Sequence, residues 1–291
     1  MPSSFLRYLS PLRYPGGKTK LADFVASLIA EQPSRPTRYV EPFAGGGGVG
    51  LRLLFDEHVD EIVLNDLNPG VAAFWRALFD SPESLVELIR ERPVTVEEWH
   101  RQRAVYHSAS GSDLDLGFAT LFLNRTNRSG ILDARPIGGF EQTGTWRIDA
   151  RYNVEGLVTR VTTLARYASR VTVAQEDGVA LTARELDQHN VFVYADPPYL
   201  VQGDRLYLDA MSDVGHSDLA HVLKDAPPQW LLTYDADQRI KDDLYKGFRC
   251  AQFSMRHSAG IQRTGLEFAV FPPDLVLSSL DGLGHGEAVW V

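Results

Sequence analysis

The run 193–199, with the sequence Val-Tyr-Ala-Asp-Pro-Pro-Tyr, contains residue types that together could hold an amine. Its apolar start predicts a buried strand that ends at Pro197 and Pro198, because a proline cannot donate the hydrogen bond that a central strand requires. Asp196 therefore falls at the carboxyl end of a strand, where open parallel α/β sheets bind ligands. Its carboxylate and the neighbouring carbonyls would form a rigid set of acceptors beside the Tyr199 ring. This set suits a planar group that carries an amine, although the same residues also fit a simple proline-rich turn.

A glycine-rich turn predicts a second binding feature. The segment 38–43 reads as a short strand, and it runs into the turn 44–50, after which apolar residues continue as a helix. Gly45 and Gly47 would let a ligand approach bare backbone. The next predicted strand ends at Asp66, about 20 residues after the turn, where an acid typically accepts hydrogen bonds from both ribose hydroxyls. These features indicate a nucleoside site.

The nature of the nucleoside stays open at this point. Glycines at 45, 47 and 50 fit the fingerprint of dinucleotide-binding proteins, so a nicotinamide or flavin enzyme is one reading. Glu41, at the end of the preceding strand, would repel a pyrophosphate but would suit a cofactor with a positive centre or an amino group. Upstream, Gly17 and Lys18 enter a predicted helix, where backbone N–H groups and a cation could bind a carboxylate or phosphate.

Arginine is concentrated in one part of an otherwise acidic chain. The formal net charge is -9, which argues against nucleic-acid binding in general, since phosphate contacts require Lys and Arg. Nevertheless, the stretch 124–170 holds eight arginines and only four acidic residues. Its glycine-rich part, 129–147, predicts a hairpin or ordered loop that exposes Phe140 and Trp146. Aromatics interleaved with arginine suit base stacking and phosphate contact; the alternative is solvated helix faces and aromatics packed on a bundle.

The elements that must position these residues alternate as in an α/β protein. The chain has 291 residues, of which 44% are hydrophobic and 23% charged, enough for one α/β domain with an insertion or for two domains. Helical periodicity fills 69–127 without a strand, so we interpret this part as an inserted bundle. Strands resume at 171–173, 191–195 and 230–232. The polar stretch 200–217 is long enough to form a lid over the strand end that precedes it.

Composition also excludes several classes. One cysteine, Cys250, cannot form an internal disulfide, and without Cys/His clusters at ligand spacing a structural zinc is not expected. No apolar run approaches the roughly 20 residues of a membrane span, and residues 1–10 lack the layout of a secretion signal. We expect a cytoplasmic protein with no membrane partner.

Five motifs occur together in a fixed order, and the chain resembles the Dam-like (class alpha) DNA adenine methyltransferases over roughly residues 13 to 272. The motifs are Tyr-Pro-Gly-Gly-Lys at 14–18, Glu-Pro-Phe-Ala-Gly-Gly-Gly at 41–47, Asn-Asp at 65–66, Leu-Asn-Arg at 123–125 and Asp-Pro-Pro-Tyr at 196–199. The resemblance implies a Rossmann-like S-adenosylmethionine-dependent methyltransferase sheet with an inserted, mainly helical DNA-recognition domain. It places the catalytic domain at 1–68 and 153–291, and the recognition insertion, with a hairpin, at 69–152.

Site residues follow from the same resemblance. The residues expected to bind S-adenosylmethionine are Tyr14, Gly17, Lys18, Glu41, Phe43, Gly45, Gly47, Asp66 and Asp177. Those expected to act on the target amine are Asp196, Pro197, Pro198 and Tyr199. Those expected to contact double-stranded DNA are Arg125, Asn127, Arg128, Arg135, Arg147 and Arg151. No metal is expected, and a cognate restriction endonuclease is a partner that the resemblance suggests.

The implied reaction is methyl transfer to the amine of an adenine that has been flipped out of the duplex. Asp196 and the Pro197 carbonyl would accept the amine hydrogens, and orientation and electrostatics would supply the catalysis. Cys250 is not preceded by proline, which argues against methylation of a cytosine ring carbon. Two alternatives remain: methylation of the cytosine amine, which uses the same acceptors, and a nicotinamide-dependent oxidoreductase that uses the glycine turn.

Overall fold

The computed structural model describes residues 9–13, 17–108, 111–200, 211–257 and 263–291. The chain divides into two compact units. The sheet unit comprises Lys18–Leu67, Ala174–His257 and Gln262–Val291, and the helical unit comprises Met1–Gly17, Asn68–Val173 and Ser258–Ile261.

A mixed sheet organises the sheet unit. Its strands are β1 (Arg38–Glu41), β2 (Glu61–Asn65), β3 (Val171–Ala174), β4 (Val191–Ala195), β5 (Trp230–Asp235), β6 (Arg249–His257), β7 (Arg263–Phe271) and β8 (Val289–Trp290). The boundary between the two units falls within β3, after Val173. They lie in the order β3-β2-β1-β4-β5-β7-β6-β8. Strands β2, β1, β4 and β5 run parallel, whereas β7, β6 and β8 are added antiparallel. The chain order reverses between β1 and β4, and such a switch point is where α/β sheets bind ligands.

The central strands are buried on both faces, which is why their sequences are apolar runs without alternation. Every residue of β4 is buried, and the core behind it includes Val40, Val193, Leu232 and Phe268. Helices cover the sheet. Those of this unit are α1 (Ala22–Glu31), α2 (Gly48–Phe55), α8 (Gly178–Leu186) and α9 (Asp213–Asp225). A central parallel sheet with helical crossovers is the Rossmann-like arrangement that the sequence predicts.

The helical unit packs α3 (Pro69–Asp80), α4 (Pro82–Glu91), α5 (Val96–Ser108), α6 (Asp113–Thr126) and α7 (Val154–Ala165). Local sequence explains where these helices begin. Asn68 caps α3 by accepting the N–H groups of Gly70 and Val71, and Pro69 fills the first helical position. Ser112 and Asp115 form a capping box at the start of α6. Buried residues occur all round α6, from Leu116 to Thr126, so this helix is the centre of the unit.

The course of the chain differs from the predicted boundaries in one respect. The chain leaves the sheet unit after Leu67, and it returns at Ala174 rather than near 153, because α7 packs with α3 and α4.

The stretch 128–147 is an ordered loop with turns and one isolated antiparallel bridge between Asn127 and Pro136, not a hairpin. Of the predicted lid, 201–210 lies outside the described residues, and Asp213 begins α9. No helix in the described ranges is long and apolar enough to span a bilayer.

Helices α3 and α6 approach closely because α6 carries a glycine at their contact. A Cβ atom built on Gly117 would lie 2.7 Å from the carbonyl oxygen of Ala73 and 2.8 Å from the Cα of Phe74. These are backbone atoms, so the contact could be relieved only by moving one helix.

We therefore expect Gly117→Ala to destabilise the protein by about 1–3 kcal/mol through overpacking, even though alanine favours a helix by about 1 kcal/mol over glycine. Chemical denaturation would measure this change. Gly144→Ala is the matched control, since a Cβ atom there meets its nearest neighbour at an ordinary 3.6 Å. A Gly117→Ala protein as stable as the wild type would show that the two helices can separate freely.

Candidate active site

Asp196 lies directly after β4, with its side chain 23% exposed. Ala195 pairs with Leu232 in the parallel register, which brings Asp196 beside Thr233 of β5. The Thr233 hydroxyl donates to Asp196 Oδ1 at 2.7 Å. Because that hydroxyl has one proton, the 2.9 Å contact between Thr233 and Tyr194 requires Tyr194 to be the donor. A chain of hydrogen bonds inside the sheet thus orients the carboxylate.

Lys18 meets Asp196 from the other side. Its Nζ donates to Asp196 Oδ2 at 2.8 Å and to the Tyr199 hydroxyl at 2.7 Å, and the ammonium is 5.2 Å from the centre of the Tyr199 ring. The Tyr199 hydroxyl in turn donates to Glu267 Oε1 at 2.9 Å, while Glu267 Oε2 is 3.5 Å from Lys18 Nζ. Lys18 and Glu267 are both buried. The ammonium therefore links the acid, the phenol and a second carboxylate.

Glu267 lies on β7, where it is 1% exposed. Burial raises the pKa of its carboxyl to about 7; the charge of Lys18 opposes this rise and that of Asp196 adds to it. Glu267 thus changes its charge near neutral pH, in contact with the groups that surround Asp196.

Pro197 and Pro198 end β4 as predicted, and Pro197 is buried whereas Pro198 and Tyr199 are half-buried. The structure therefore brings Asp196, Pro197, Pro198 and Tyr199 together at the carboxyl end of β4. Their catalytic role stays a prediction.

The glycine turn exposes backbone near a second acid. Gly45 and Gly47 have φ values of 47° and 56°, a left-handed conformation that favours glycine, and Gly47 caps α2. The N–H of Gly45 donates to Asp66 Oδ2 at 2.9 Å. Asp66 follows β2, at the same edge of the sheet. These residues fit a nucleoside whose hydroxyls face the Asp66 carboxylate.

Glu41 is buried at the end of β1 beside this turn. One oxygen, Oε1, accepts both the Gly50 N–H at 2.7 Å and the Tyr39 hydroxyl at 3.0 Å. No donor to Oε2 exists among the described residues. Burial raises the pKa of Glu41 to about 7, although these two hydrogen bonds lower it. The open oxygen fits a ligand that carries an ammonium or hydroxyl group.

Phe43 lies against Gly178, the residue that follows Asp177. A Cβ atom on Gly178 would overlap the Phe43 ring, so glycine is required for the ring to lie against the start of α8. Asp177 is exposed and caps α8 by accepting the N–H of Ala180 at 2.9 Å. The Asn65 side chain connects the loops around them. Its Nδ2 donates hydrogen bonds to the carbonyls of Pro42 and Glu176, and its Oδ1 accepts the Glu176 N–H.

Two further predicted cofactor residues, Gly17 and Lys18, precede α1. Gly17 is exposed. Tyr14 lies outside the described residues. Lys18 contacts Asp196, Tyr199 and Glu267, and its cofactor role stays a prediction.

Two of the residues predicted to contact DNA are buried in the helical unit, and the structure gives them another role. Arg125 is 8% exposed and donates from Nε to the Pro11 carbonyl. Asn127 is fully buried; its amide accepts from the Trp99 indole at 2.6 Å and donates to the carbonyls of Ile131 and Leu132. We therefore correct the expectation for Asn127, whose amide supports the loop 128–147 and does not face solvent.

The four other predicted DNA contacts belong to the same unit, and we call them the exposed arginines. Arg128, Arg135, Arg147 and Arg151 are all exposed, and within the described ranges none of them pairs with a carboxylate. Trp146 is 68% exposed, whereas Phe140 stacks on His100 and contacts Trp99 edge-on. The structure thus leaves one aromatic of the predicted pair free to stack on a base. Gln142 shapes this loop by bonding the Ile137 carbonyl and the Ile148 N–H.

Sequence reasoning missed Thr233 and Glu267. Each is a polar residue inside an apolar strand, Trp-Leu-Leu-Thr-Tyr and Leu-Glu-Phe-Ala-Val. A buried polar side chain in such a run needs a partner, and this signal could have identified both.

The described ranges hold one thiol and only scattered side chains of the metal-ligating types. They contain no group of three or more His, Cys, Asp or Glu side chains that could hold a metal ion. Cys250 is a free, buried thiol whose pKa burial raises to about 11. It is therefore a structural residue and not an activated nucleophile.

Comparison with known proteins bears on this geometry. Residues 14–256 match the D12 class N6 adenine-specific DNA methyltransferases. The chain is 22% identical over 267 residues to the type II methyltransferase M1.LlaDCHI of Lactococcus lactis subsp. cremoris, covering 85% of this chain and 88% of that protein. It is 22% identical over 202 residues to the type II methyltransferase M.MjaIII of Methanocaldococcus jannaschii, covering 65% and 68%.

Among solved structures, the rRNA methyltransferase aviRa from Streptomyces viridochromogenes is similar at 16% identity with a TM-score of 0.36, covering 89% of this chain and 86% of that one. The family match spans most of the chain, including the glycine turn, Asp66 and the Asp-Pro-Pro-Tyr end of β4. The chain belongs to the D12 class N6 adenine-specific DNA methyltransferases.

Proposed function

We propose that this enzyme transfers the methyl group of S-adenosylmethionine to the exocyclic amine of an adenine flipped out of double-stranded DNA, at a specific sequence. The observation that carries the proposal is the Asp196 carboxylate, which Thr233 and Lys18 orient at the carboxyl end of β4. Membership of a methyltransferase family removes the oxidoreductase alternative.

The acceptor group suits an amine that must act as a nucleophile. Each carboxylate oxygen can accept two hydrogen bonds, so Asp196 can take an amine hydrogen while it keeps its bonds to Thr233 and Lys18. The Pro197 carbonyl would take the second hydrogen, and the Tyr199 ring would stack on the base. Holding both hydrogens points the nitrogen lone pair along one direction, which is catalysis by orientation.

The opposite part of the carboxyl edge of the sheet fits the cofactor. S-adenosylmethionine supplies an electrophilic methyl group on a sulfonium, together with an ammonium, a ribose and an adenine. Asp66 would accept from the ribose hydroxyls, and Gly45 and Gly47 would leave room beside them. The open Oε2 of Glu41 would receive a cationic or hydroxyl group, and Phe43 with Asp177 would lie near the adenine. Cofactor roles for Tyr14, Gly17 and Lys18 are part of the same proposal.

The helical unit would bind DNA through its exposed arginines. Arg128, Arg135, Arg147 and Arg151 would contact phosphates, and Trp146 would stack on a base. The similarity to type II methyltransferases supports a cognate restriction endonuclease as a functional partner. Since the two relatives come from a bacterium and an archaeon, a DNA substrate implies action in the cytoplasm.

The proposal is tested by incubating the purified protein with unmethylated plasmid and S-adenosylmethionine and mapping modified bases by single-molecule sequencing. We expect N6-methyladenine at one sequence. Asp196→Asn should lower the transfer rate about 100- to 1,000-fold, since it loses an acceptor that acts in the transition state, and should leave cofactor binding by calorimetry unchanged. Asp187→Asn, an exposed acid at the end of α8, is the control. Methylated cytosine, or full activity of Asp196→Asn, would contradict the assignment.

The buried carboxyl of Glu267 predicts a pH dependence. Ionised Glu267 holds Tyr199 and Lys18, and with a pKa of about 7 its ionised fraction rises between pH 6 and pH 8, from about one tenth to about nine tenths. We therefore expect kcat at saturating cofactor to rise over this range, and Glu267→Gln to lose the inflection.

Because folding raises the pKa from 4.5, Glu267 stabilises the fold at low pH, and this contribution is lost as pH rises through about 7.

Glu41 has a similar pKa and serves as the comparison for this measurement. Glu41→Gln should change the pH profile of kcat/KM for the cofactor. The pH profile of kcat should keep its inflection near pH 7 in this variant. An unaltered kcat profile in Glu267→Gln would show that Glu267 has a packing role only.

The exposed arginines predict a salt-dependent contribution to binding. Replacing Arg135 or Arg147 by Gln should lower DNA affinity uniformly across sequences and reduce the slope of log K against log salt by about 1 for each phosphate that the variant no longer neutralises. Fluorescence anisotropy at several salt concentrations would measure the slope. Arg184→Gln provides the control, since Arg184 is exposed but paired with Glu176 in the sheet unit. Equal slopes for all variants would show that these arginines are only solvated.

A further inference from the structure

A group of three arginines and one tyrosine surrounds the end of α6 in the helical unit; Arg125 and Tyr152 are buried, and the other two arginines are half-buried. We call it the α6 cluster and define it as Arg13, Arg125, Tyr152 and Arg160. None of the roles proposed above uses it as a unit.

Consecutive residues of α6 fix the first two cations. The Asn124 amide holds the backbone of Arg13 on both sides, since Oδ1 accepts its N–H at 2.7 Å and Nδ2 donates to its carbonyl at 2.9 Å. The next residue, Arg125, donates from Nε to the Pro11 carbonyl at 2.5 Å. The segment 11–13 is thereby laid along the end of α6, and the two arginines approach each other.

Two atoms of the cluster, Arg13 Nη1 and the Tyr152 hydroxyl, are buried and have no hydrogen-bond partner among the described residues. The Tyr152 ring packs on Phe122 of α6, with 5.5 Å between ring centres, so its position is fixed by the core. A buried hydroxyl or guanidinium nitrogen without a partner destabilises the fold, and a charged group does so more strongly. Such atoms in a native fold commonly mark a site that a ligand, ion or water completes.

The cations lie close enough to affect one another. Burial lowers the pKa of Arg125 to about 9, and the charges of Arg160 and Arg13 act in the same direction. It is still protonated at neutral pH. Burial raises the pKa of the Tyr152 hydroxyl, and the charge of Glu98 adds to this rise. The Glu98 carboxylate accepts hydrogen bonds from Arg101 and Gln102, not from the cluster. Among the residues that the structure describes, no carboxylate pairs with Arg13 or Arg125. Cations that lie close together and are wholly or partly removed from water repel each other, and a bound anion would offset this repulsion.

We propose that the α6 cluster binds one oxyanion of the phosphate class. Guanidinium groups provide paired N–H donors that match phosphate oxygens, and the tyrosine hydroxyl adds a neutral donor. Burial lowers the pKa of Arg13, and the charge of Arg151, one of the exposed arginines, is near enough to lower it further. A backbone phosphate of DNA is therefore one source of the oxyanion and free phosphate is the other. The DNA source rests on the proposed function, whereas the site itself does not.

The first experiment uses inorganic phosphate as the probe, at constant ionic strength in chloride. Phosphate should raise the Tm of the wild type, because a ligand that binds only the native state stabilises it. Tyr152→Phe removes a buried hydroxyl without a partner, so without phosphate its Tm should equal or exceed that of the wild type, and the phosphate-induced rise should fall by half or more. Arg13→Gln should abolish most of the rise. Arg90→Gln, an exposed arginine of α4, should keep it.

The second experiment measures DNA affinity of the same proteins at several salt concentrations. A DNA phosphate in the site predicts that Arg13→Gln binds about three- to tenfold more weakly, with a salt slope lower by about 1, and that Tyr152→Phe weakens binding without changing the slope. If the two variants bind DNA as the wild type does, while their Tm no longer responds to phosphate, the site is assigned to free phosphate.

The proposal is overturned if phosphate stabilises the wild type and both variants equally and their DNA binding is also equal. It is also overturned if Tyr152→Phe is destabilised without phosphate, because its hydroxyl would then have a structural partner. A wild type that responds to phosphate through these residues but methylates no DNA would retain the site and remove the proposed function.

Discussion

The ammonium of Lys18 is the charge on which the acidic end of the sheet depends. It is buried, and the carboxylates of Asp196 and Glu267 lie 2.8 and 3.5 Å from it. Without a cation, two carboxylates at one poorly solvated place would repel, and one of them would take up a proton. Removing one partner of such a group costs several kcal/mol, since it leaves a charge buried and unpaired. Lys18 therefore makes it physically feasible for an acceptor carboxylate to stand beside a second acid.

The direction of the hydrogen bonds explains how Asp196 is oriented yet remains able to act. One chain runs from Tyr194 through Thr233 to Asp196 Oδ1, and Lys18 donates to Oδ2. Every proton in these contacts points toward the carboxylate, so its neighbours fix its plane while each oxygen keeps one acceptor position. The Tyr199 hydroxyl uses its own proton on Glu267 and thus cannot compete for Asp196. The acceptor set is consequently rigid before any substrate arrives.

Local patterns predicted the parts of the site that depend on chain direction alone. Asp196 had to end a strand because prolines follow it, and Gly45 and Gly47 had to form a turn between a strand and a helix. Glu267 could not be placed in this way, since its contact with Tyr199 depends on the antiparallel register of β7 beside β5. Arg125 and Asn127 likewise look like their exposed neighbours in the sequence. They are buried because the segment 11–13 and the loop 128–147 cover the end of α6, and long-range packing of this kind has no local signature.

The arginine-rich stretch thus contains two physical types of cation. Arg135 and Arg147 keep their hydration, so they can meet phosphates anywhere along a duplex and are screened by salt. Arg125 has lost most of its hydration, which raises the free energy of the protein until an anion approaches. A desolvated cation interacts more strongly with that anion and is screened less, but it accepts it in one geometry only. Under the two proposals, the exposed arginines would attract DNA, and the buried Arg125 with its cluster would hold a single phosphate in place.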